Sequence, residues 1–320
     1  MAVTDLVRQV EEHELRARKP TSLWRDTLRE LFRQRSAVIG ASILGVILLT
    51  AIFAPLIAPY DPEVPLRIEG ADRLTPPCVH LLGCPEDQPQ FLMGVDQNGR
   101  DVFSRVIYGA RVSLQVGVVT VGIAIVIGSL IGAVAGFTGG WGDNILMRIM
   151  DVLLAFPALV LAIFLATAFQ TVDVPFLGDP LFNAMIAIGI VAVPVYARVM
   201  RASVLSVRER DFVTASRALG EGSSGILLRR VLPNALTPLV VQGTLGIATA
   251  ILEVAALSFL GLAAKEPTPE WGSMIGLVRN QMFSAPHLVI FPGLALALSV
   301  LAFNLLGDGL RDALDPRLNR

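Results

Sequence analysis

Charged residues are scarce in this sequence, and lysine is almost absent. Only 17% of the 320 residues are charged, whereas an ordinary soluble domain carries about 25%. This composition excludes a typical soluble globular protein. The two lysines, Lys19 and Lys265, are followed by Pro20 and Glu266, but a P-loop needs lysine followed by serine or threonine. The chain therefore has no P-loop, and any ATP on which it depends must be bound by another chain.

Histidine is also rare, which limits the chemistry available inside a membrane. The three histidines, His13, His80 and His287, lie in loops or at the end of an apolar stretch. No Ser/His pair or metal-ligand cluster can be assembled from helical positions, so an intramembrane hydrolase is not expected. The net charge of −1 provides no basic field for nucleic acid. We predict no catalytic residue and no nucleic-acid partner.

The only two cysteines, Cys78 and Cys84, lie in the short stretch "CVHLLGC" with His80 between them. A closed zinc site needs four ligands, and this stretch offers three, so we expect no metal here. Two alternatives remain open. The cysteines form a disulfide, which suits an oxidising compartment, or they are two free thiols.

Long apolar stretches dominate the rest of the chain, in which 53% of residues are hydrophobic. A helix that spans the membrane needs about 20 mostly apolar residues. Six stretches qualify: residues 36–58, 112–137, 145–169, 184–205, 236–262 and 288–306. We therefore predict an all-α integral membrane protein with six transmembrane helices.

Glycine, proline and tryptophan mark particular places in and beside these spans. Gly128, Gly132 and Gly136 recur every four residues and predict a face on which another helix approaches closely. Proline commonly kinks a helix, and one lies inside each of two predicted spans, at positions 157 and 194. Trp271, in the stretch after the fifth span, suits an anchor in the membrane interface.

The distribution of basic residues predicts the orientation of the chain. With the N-terminus inside, 19 of the 26 lysines and arginines fall on the cytoplasmic side, as the positive-inside rule requires. Both termini are therefore expected in the cytoplasm. The predicted regions are a cytoplasmic segment 1–35, whose helix lies in the membrane interface or in the cytoplasm, span 36–58, an extracytoplasmic loop 59–111, a core 112–309 that includes a cytoplasmic loop 206–235, and a cytoplasmic tail 310–320.

Two acidic residues fall within predicted spans. Glu253 lies well inside the fifth span, and Asp151 lies near the start of the third. A carboxylate in the membrane is costly and often lines a polar pathway. We predict both as pathway-lining candidates, and the alternative for each is a structural ion pair or hydrogen bond between helices.

The loop 206–235 is unusually polar for a connection between two apolar spans. Asp211 is a predicted N-cap of a short helix whose Phe212, Ala215 and Leu219 share one face. Residues 220–222 read Gly-Glu-Gly and predict a break in this helix.

A second short helix is predicted after the break. Ser223 or Ser224 caps it, Ile226, Leu227 and Val231 are its apolar residues, and Pro233 ends it. Because the loop is pinned to the membrane at both ends, it cannot insert a helix into a DNA groove. We expect it to contact a cytosolic protein instead.

This loop resembles the coupling loop, often called the EAA loop, of binding-protein-dependent ABC importer permeases. The family pattern is E-A-A, three residues, G, nine residues and I-x-L-P, and two positions depart from it because Thr214 replaces the glutamate and Arg230 replaces the isoleucine. The residues that the resemblance assigns to ATPase coupling are Phe212, Thr214, Ala215, Ser216, Arg217, Ala218, Leu219, Gly220, Leu232 and Pro233.

Four longer stretches resemble the C-type permease of dipeptide and oligopeptide importers, a subfamily shared with nickel importers. They are "GVDQNGRDVFSRVIYGARVSL", "GFTGGWGDNILMRIMDVLLAFP", "LEVAALSFLGLAAKEPTPEWGSMI" and "AFNLLGDGLRDALDPRL". Together with the coupling loop they extend the resemblance over residues 36–318. The fold that it implies is the type I ABC importer permease fold.

The resemblance also implies partners and a place in the cell. A B-type permease would form a heterodimer with this chain in a bacterial or archaeal inner membrane. Two cytosolic ABC ATPases would bind ATP and Mg²⁺, so the chain itself would hold no cofactor, and an extracytoplasmic binding protein would deliver di- or oligopeptides. Two alternatives stay open: nickel or another small solute as the cargo, and a stand-alone secondary carrier, although the sequence shows no internal repeat of the kind such carriers have.

Overall fold

Helices make up nearly all of the regular structure in this protein. The computed structural model describes residues 31–66, 72–171 and 179–314, and within these ranges it contains no strand, only two isolated bridges. The predicted helix of segment 1–35 and most of the tail 310–320 lie outside the described residues. The α-helices are α1 Arg35–Ile52, α2 Ala54–Ile57, α3 Val102–Thr138, α4 Gly140–Ala155, α5 Ala158–Gln170, α6 Pro180–Arg208, α7 Asp211–Ala218, α8 Ser223–Gly225, α9 Leu232–Ala235, α10 Thr237–Phe259, α11 Trp271–Leu277 and α12 His287–Leu314. Short 3₁₀ turns lie at His80–Leu82 and Arg279–Gln281, and a π-helix, Ile226–Val231, joins α8 to α9.

Five of the described helices, α1, α3, α6, α10 and α12, are long and apolar enough to cross a membrane. Helices α4 and α5 are long and apolar enough to cross a membrane only when they are counted together. They form a broken span rather than a continuous helix, since they meet at an angle of 96°. The kink predicted at Pro157, for which the sequence gives no angle, is a full break between two helices in the structure. Proline has no N–H for the helical hydrogen bonds, and it disfavours helical backbone angles in the residue before it. Phe156, which precedes Pro157, accordingly has an extended backbone. By contrast, α6 continues through Pro194.

Helix α3 begins at Val102, well before the predicted start of its span at residue 112. The side chain of Asp101 caps it by accepting a hydrogen bond from the N–H of Ser104. The predicted span covers only the apolar part of this helix, because Arg105 and Arg111 interrupt the apolar run before residue 112. Arg105 is nevertheless only 1% exposed, since it donates hydrogen bonds to the carbonyls of Pro62 and Pro267.

These contacts belong to a compact loop layer, which consists of residues 59–66, 72–101 and 264–270. Arg100 donates to Asp96 and pairs with Glu266. Glu270 caps α11 by accepting from the N–H groups of Gly272 and Ser273, and burial raises the pKa of its carboxyl although these bonds oppose the shift. Neutral carbonyls and paired charges thus satisfy most of these buried groups, although Nη2 of Arg105 has no hydrogen-bond partner among the described residues.

The Trp271 side chain also belongs to this buried structure. It is 1% exposed, and its Nε1 donates to the carbonyl of Val106 in α3. Its predicted place as an anchor in the membrane interface was therefore wrong. The ring instead holds α11 against the first turns of α3, where Gly109 leaves room for it.

The loop layer and the 206–235 segment lie at opposite ends of the helix bundle. Trp271 bonds to Val106 near the start of α3, whereas Arg208 bonds to the carbonyl of Gly136 near its end. These two carbonyls are 30 residues apart on one helix, which corresponds to about 45 Å at a rise of 1.5 Å per residue. The two regions are therefore separated by more than the thickness of the membrane core.

The glycine face of α3 packs directly on α6, as its spacing predicts. A Cβ on Gly132 would overlap the carbonyl oxygen of Ala197, and one on Gly128 would lie 2.8 Å from the carbonyl oxygen of Val193. Gly136 approaches the carbonyl of Arg201 in the same way. Only a residue without a Cβ allows the two backbones to come this close.

We expect Gly132→Ala to lower the midpoint of thermal unfolding of the detergent-solubilised protein. The added methyl group has no space, and overpacking of this kind costs about 1–3 kcal/mol. Gly122→Ala is the matched control, because Gly122 lies on the same helix and a methyl group added there would meet nothing within 4 Å. Equal midpoints for the two variants would contradict this account of the α3 and α6 contact.

Candidate functional site: the 206–235 segment and a membrane cavity

Helix α7 forms the first half of the 206–235 segment. Arg210 is its N-cap, with an extended backbone, and Asp211 lies in the first turn, so the prediction of Asp211 as N-cap was wrong by one residue. The Asp211 carboxylate still favours the helix from this place, because negative charge near an N-terminus complements the helix dipole. The predicted break follows at Gly220, whose φ of 82° lies in the left-handed region that favours glycine.

Val213 attaches α7 to the membrane helices. Its side chain is fully buried in a cluster with Val204 and Val207 of α6 and with Ile226 and Val231. The predicted apolar face points elsewhere: Phe212 is 38% exposed and Leu219 is 88% exposed, and Ala215 is exposed as well. The helix therefore presents an apolar surface that no described residue covers.

The second half of the segment departs from its prediction. Gly222, not Ser223 or Ser224, is the N-cap, and the chain stays helical through Pro233, which lies in the first turn of α9. A π-helix makes this passage possible, because the Leu232 N–H bonds to the carbonyl of Leu227 rather than to the usual partner. Pro233 lacks the N–H that would bond to a carbonyl of the preceding turn. The side chain of the next residue, Asn234, donates a hydrogen bond to the carbonyl of Arg230 in that turn.

The segment is tied to α6 at both of its ends. It follows α6 directly in the chain, and near its far end the Ser203 hydroxyl donates to the carbonyl of Ala235. Arg230 also pairs with Glu221 across the segment at 3.1 Å. The segment is thus a compact two-part knob fixed on α6 and α10 rather than a loose linker.

Two ion pairs connect α6 to α4. Arg201 donates to both carboxylate oxygens of Asp143 at 2.6 Å, and Arg198 donates to Asp151 at 2.6 Å. Asp151, a predicted pathway residue, is therefore paired, and it borders an open hollow along α4. The two arginines lie one turn apart on α6. Helix α6 is therefore attached to α4 by two ion pairs.

Glu253 lies in a different environment. It borders a cavity of about 170 Å³ between α3, α6, α10 and the break that separates α4 from α5. Among the described residues the Glu253 carboxylate has no hydrogen bond or ion pair. The structure thus distinguishes the two predicted acids, one paired with arginine and one facing a cavity.

A polar stripe on α10 lines the same cavity. Gln242, Gly246, Thr249 and Glu253 recur at intervals of four, three and four residues, which places them on one face of the helix. Gln242 and Thr249 are not among the residues predicted from the sequence. Their spacing from Glu253 was the available signal, since a polar row at helical period within an apolar span indicates a face turned away from lipid.

Cys78 and Cys84 lie in the loop layer, with Cα atoms 5.4 Å apart, and the structure joins them in a disulfide. The His80 imidazole lies close to both sulfurs, with the three ligand atoms within 4.8 Å of one another. The His80 Nε2, however, bonds to the carbonyl of Gln88 at 2.8 Å. The disulfide occupies the two sulfurs that a metal ion would need.

Comparison with known proteins places these features in a family. The family described as "Binding-protein-dependent transport system inner membrane component" matches residues 128–320, which include the knob, the ion pairs and the polar stripe. The chain belongs to this family. A second family, the N-terminal transmembrane domain of oligopeptide transport permease C, matches residues 22–77. This inner membrane component is therefore a multi-pass permease subunit, and the predicted C-type membership is confirmed.

Curated relatives cover almost the whole permease. The dipeptide transport system permease protein of Alkalihalophilus pseudofirmus is 44% identical over 93% of this chain and 91% of its own length. The di/tripeptide transport system permease protein of Pseudomonas aeruginosa is 43% identical over 96% of this chain and 97% of its own length. The glutathione transport system permease protein of Escherichia coli is 43% identical over 92% of this chain and 91% of its own length.

A solved structure shares the fold of the permease. The methionine ABC transporter MetNI, in an inward-facing conformation, aligns with a TM-score of 0.54 at 19% identity over 67% of this chain and 98% of that chain. The predicted ABC importer permease fold is thus confirmed.

We expect Asp143→Asn to destabilise the permease more than Asp151→Asn. The Asp143 side chain is 10% exposed and accepts both hydrogen bonds from Arg201, whereas the Asp151 and Arg198 side chains are 46% and 51% exposed. Hydrogen bonds to a charged group contribute about 1.5–3 kcal/mol, and solvated pairs contribute about 0–1 kcal/mol. Thermal unfolding in detergent measures both variants, and a larger loss for Asp151→Asn would contradict this ranking.

Proposed function

We propose that this permease is the C-type subunit of an ATP-driven importer of di- or oligopeptides. A second, B-type permease completes the translocation pathway, two cytosolic ABC ATPases bind ATP and Mg²⁺, and an extracytoplasmic binding protein delivers the solute. The exposed apolar face of α7, held on a knob fixed to two spanning helices, is the observation that carries this proposal. The relatives named for dipeptide, di/tripeptide and glutathione transport support peptides as the cargo.

Helix α7 is the proposed contact with an ATPase. Phe212, Ala215 and Leu219 enter a groove of the ATPase, while Val213 anchors the helix from the opposite side. Burial of apolar side chains drives such an association at roughly 25 cal/mol per Å² of apolar surface. The departures at Thr214 and Arg230 leave this face unchanged, because Thr214 lies outside it and Arg230 pairs with Glu221.

Motion of the ATPase reaches the membrane through α6. When ATP binding moves α7, α6 follows because the knob is fixed to it by Val213 and by the Ser203 hydrogen bond. Arg198 and Arg201 then pull on α4, and the break at Pro157 allows α4 to change its angle to α5. A rigid element linked to a hinge transmits motion in this way.

Glu253 and Asp151 are the proposed polar residues of the pathway. Glu253 lies within the membrane on the α10 stripe, and Asp151 with its partner Arg198 lies nearer the knob. Both termini and the knob face the cytoplasm in this arrangement, and the loop layer faces the binding protein.

We expect Gly220→Pro to abolish peptide uptake and stimulation of the ATPase by loaded binding protein while membrane insertion is retained. Proline cannot adopt the φ of 82° at Gly220, and it removes the N–H that bonds to the carbonyl of Arg217. Gly222→Pro is the matched control, because Gly222 already has a φ of −68°. Uptake and ATPase activity are measured on the reconstituted four-subunit complex with its binding protein.

Purification of a tagged chain tests the partners directly. The protein should bring down two chains that contain Walker motifs together with another permease. Full coupling in the Gly220→Pro variant would argue against α7 as the contact, and an active, ATP-independent homo-oligomer would overturn the whole proposal. Uptake of nickel without uptake of peptide would contradict peptides as the cargo but would leave the proposed ABC importer unchanged.

The two cysteines allow the orientation to be tested. In spheroplasts, a membrane-impermeant maleimide should label Cys78 and Cys84 only after treatment with a membrane-impermeant reductant, because we propose an extracytoplasmic disulfide. A cysteine placed at the exposed Ser224 of a Cys78→Ser, Cys84→Ser chain should react only after lysis. Labelling of Cys78 and Cys84 before reduction would show free thiols, and labelling only after lysis would show that the orientation is reversed.

A further inference from the structure

The cavity beside α10 holds one carboxylate and no compensating positive charge. Its lining includes Glu253 and the polar side chains of Gln242, Thr249, Thr120 and Tyr196, and none of the described lining residues is lysine, arginine or histidine. The remaining lining is apolar. A cation that entered this cavity would therefore meet Glu253 as its only charged neighbour.

Glu253 differs in this respect from the other acids on the spanning helices. Asp143 and Asp151 each pair with an arginine at 2.6 Å. Asp308 and Asp312 are exposed near the end of α12. Glu253 is the acid that lies deep in a spanning helix, about 9 Å from its end at Phe259 by the helical rise, without an arginine partner among the described residues. An unpaired carboxylate at that depth is costly unless it faces water or a cationic ligand.

The stripe that contains Glu253 has the length and chemistry to accompany an extended peptide. From Gln242 to Glu253 it covers eleven residues of helix, about 16 Å, and an extended chain covers about 3.3–3.6 Å per residue. The Gln242 amide and the Thr249 hydroxyl offer donors and acceptors for peptide groups. Glu253 at one end offers only negative charge, which suits an ammonium group.

We propose that Glu253 binds the ammonium group of the cargo as it passes through the membrane. The contact is a charge-assisted hydrogen bond from the ammonium N–H to the carboxylate, with no covalent step. Two sources of ammonium fit this chemistry, the free N-terminus of a peptide and a lysine side chain within it. The inference rests on the proposed function, since it needs a peptide or another amine as cargo.

The test measures initial uptake in proteoliposomes that contain the complete importer and its binding protein at saturating concentration. The probes are tri-alanine and Ala-Lys-Ala. We expect Glu253→Gln to reduce uptake of at least one probe by roughly tenfold, the change that corresponds to losing one hydrogen bond to a charged group. Glu253→Asp should restore uptake to within about threefold of the native rate, because it restores the charge. Asp308→Asn, which removes an exposed carboxylate from another spanning helix, is the matched control.

The pattern of loss separates the two sources of ammonium. Equal loss for both probes assigns the contact to the peptide N-terminus, and loss for Ala-Lys-Ala alone assigns it to the lysine side chain. A merely structural role would lower the unfolding midpoint of Glu253→Gln, whereas the proposed role does not lower it, because the change removes a costly charge.

Three outcomes would overturn the inference: native uptake of both probes by Glu253→Gln, failure of Glu253→Asp to restore uptake, and a loss of uptake that accompanies a lower unfolding midpoint. Failure of the native importer to take up either probe would instead count against the proposed function.

Discussion

Backbone contact between α3 and α6 sets the geometry on which the other elements depend. Gly128, Gly132 and Gly136 bring the two helices so close that carbonyl oxygens of α6 lie against glycines of α3. Packing of this density leaves little freedom for one helix to slide on the other. The knob on α6 and the loop layer on α3 therefore keep a fixed separation. A force applied to α7 displaces this pair of helices as one body.

Helix α4 is attached in another way, and this difference matters for transport. Its contacts with α6 include two arginine–carboxylate pairs, and Asp151 and Arg198 are about half exposed. The half-exposed Asp151–Arg198 pair separates and re-forms at a cost of about 0–1 kcal/mol, whereas the less exposed, doubly hydrogen-bonded Asp143–Arg201 pair holds the start of α4 on α6 more firmly. Together with the break at Pro157, this allows the end of α4 near Asp151 to change its angle to α5 while its start stays attached to α6. The cavity at Glu253 borders that break, so movement of α4 changes its shape.

The limits of sequence-based prediction can be traced to particular residues. The length of the apolar stretches was sufficient to find the spans, because the thickness of the hydrocarbon core fixes how many apolar residues a spanning helix needs. It did not reveal that α3 begins as early as Val102, since the buried Arg105 bonds to carbonyls of Pro62 and Pro267, which are distant in sequence. Pro157 indicated a break but not an angle of 96°. In α7 the periodicity placed Phe212, Ala215 and Leu219 on one face, but it did not identify Val213 as the residue that is buried against α6. Helical period alone cannot tell a face that packs internally from one that binds a partner.

The same ambiguity applies to α10, whose polar face could pack within the chain or face a partner. The choice between the two indicates which side of the permease would face the second permease. A row formed by Gln242, Thr249 and Glu253 is unstable against lipid, because hydrocarbon satisfies neither the amide nor the carboxylate. Exposed apolar side chains on the rim of the cavity, Phe156 at 52% and Val195 at 37%, show that the cavity opens beyond this chain. In the proposed importer with two permeases, we therefore expect the stripe to face the second permease across a hydrated space. That arrangement would place the break at Pro157 beside the proposed pathway, at the end of the proposed linkage from α7 through α6 and α4.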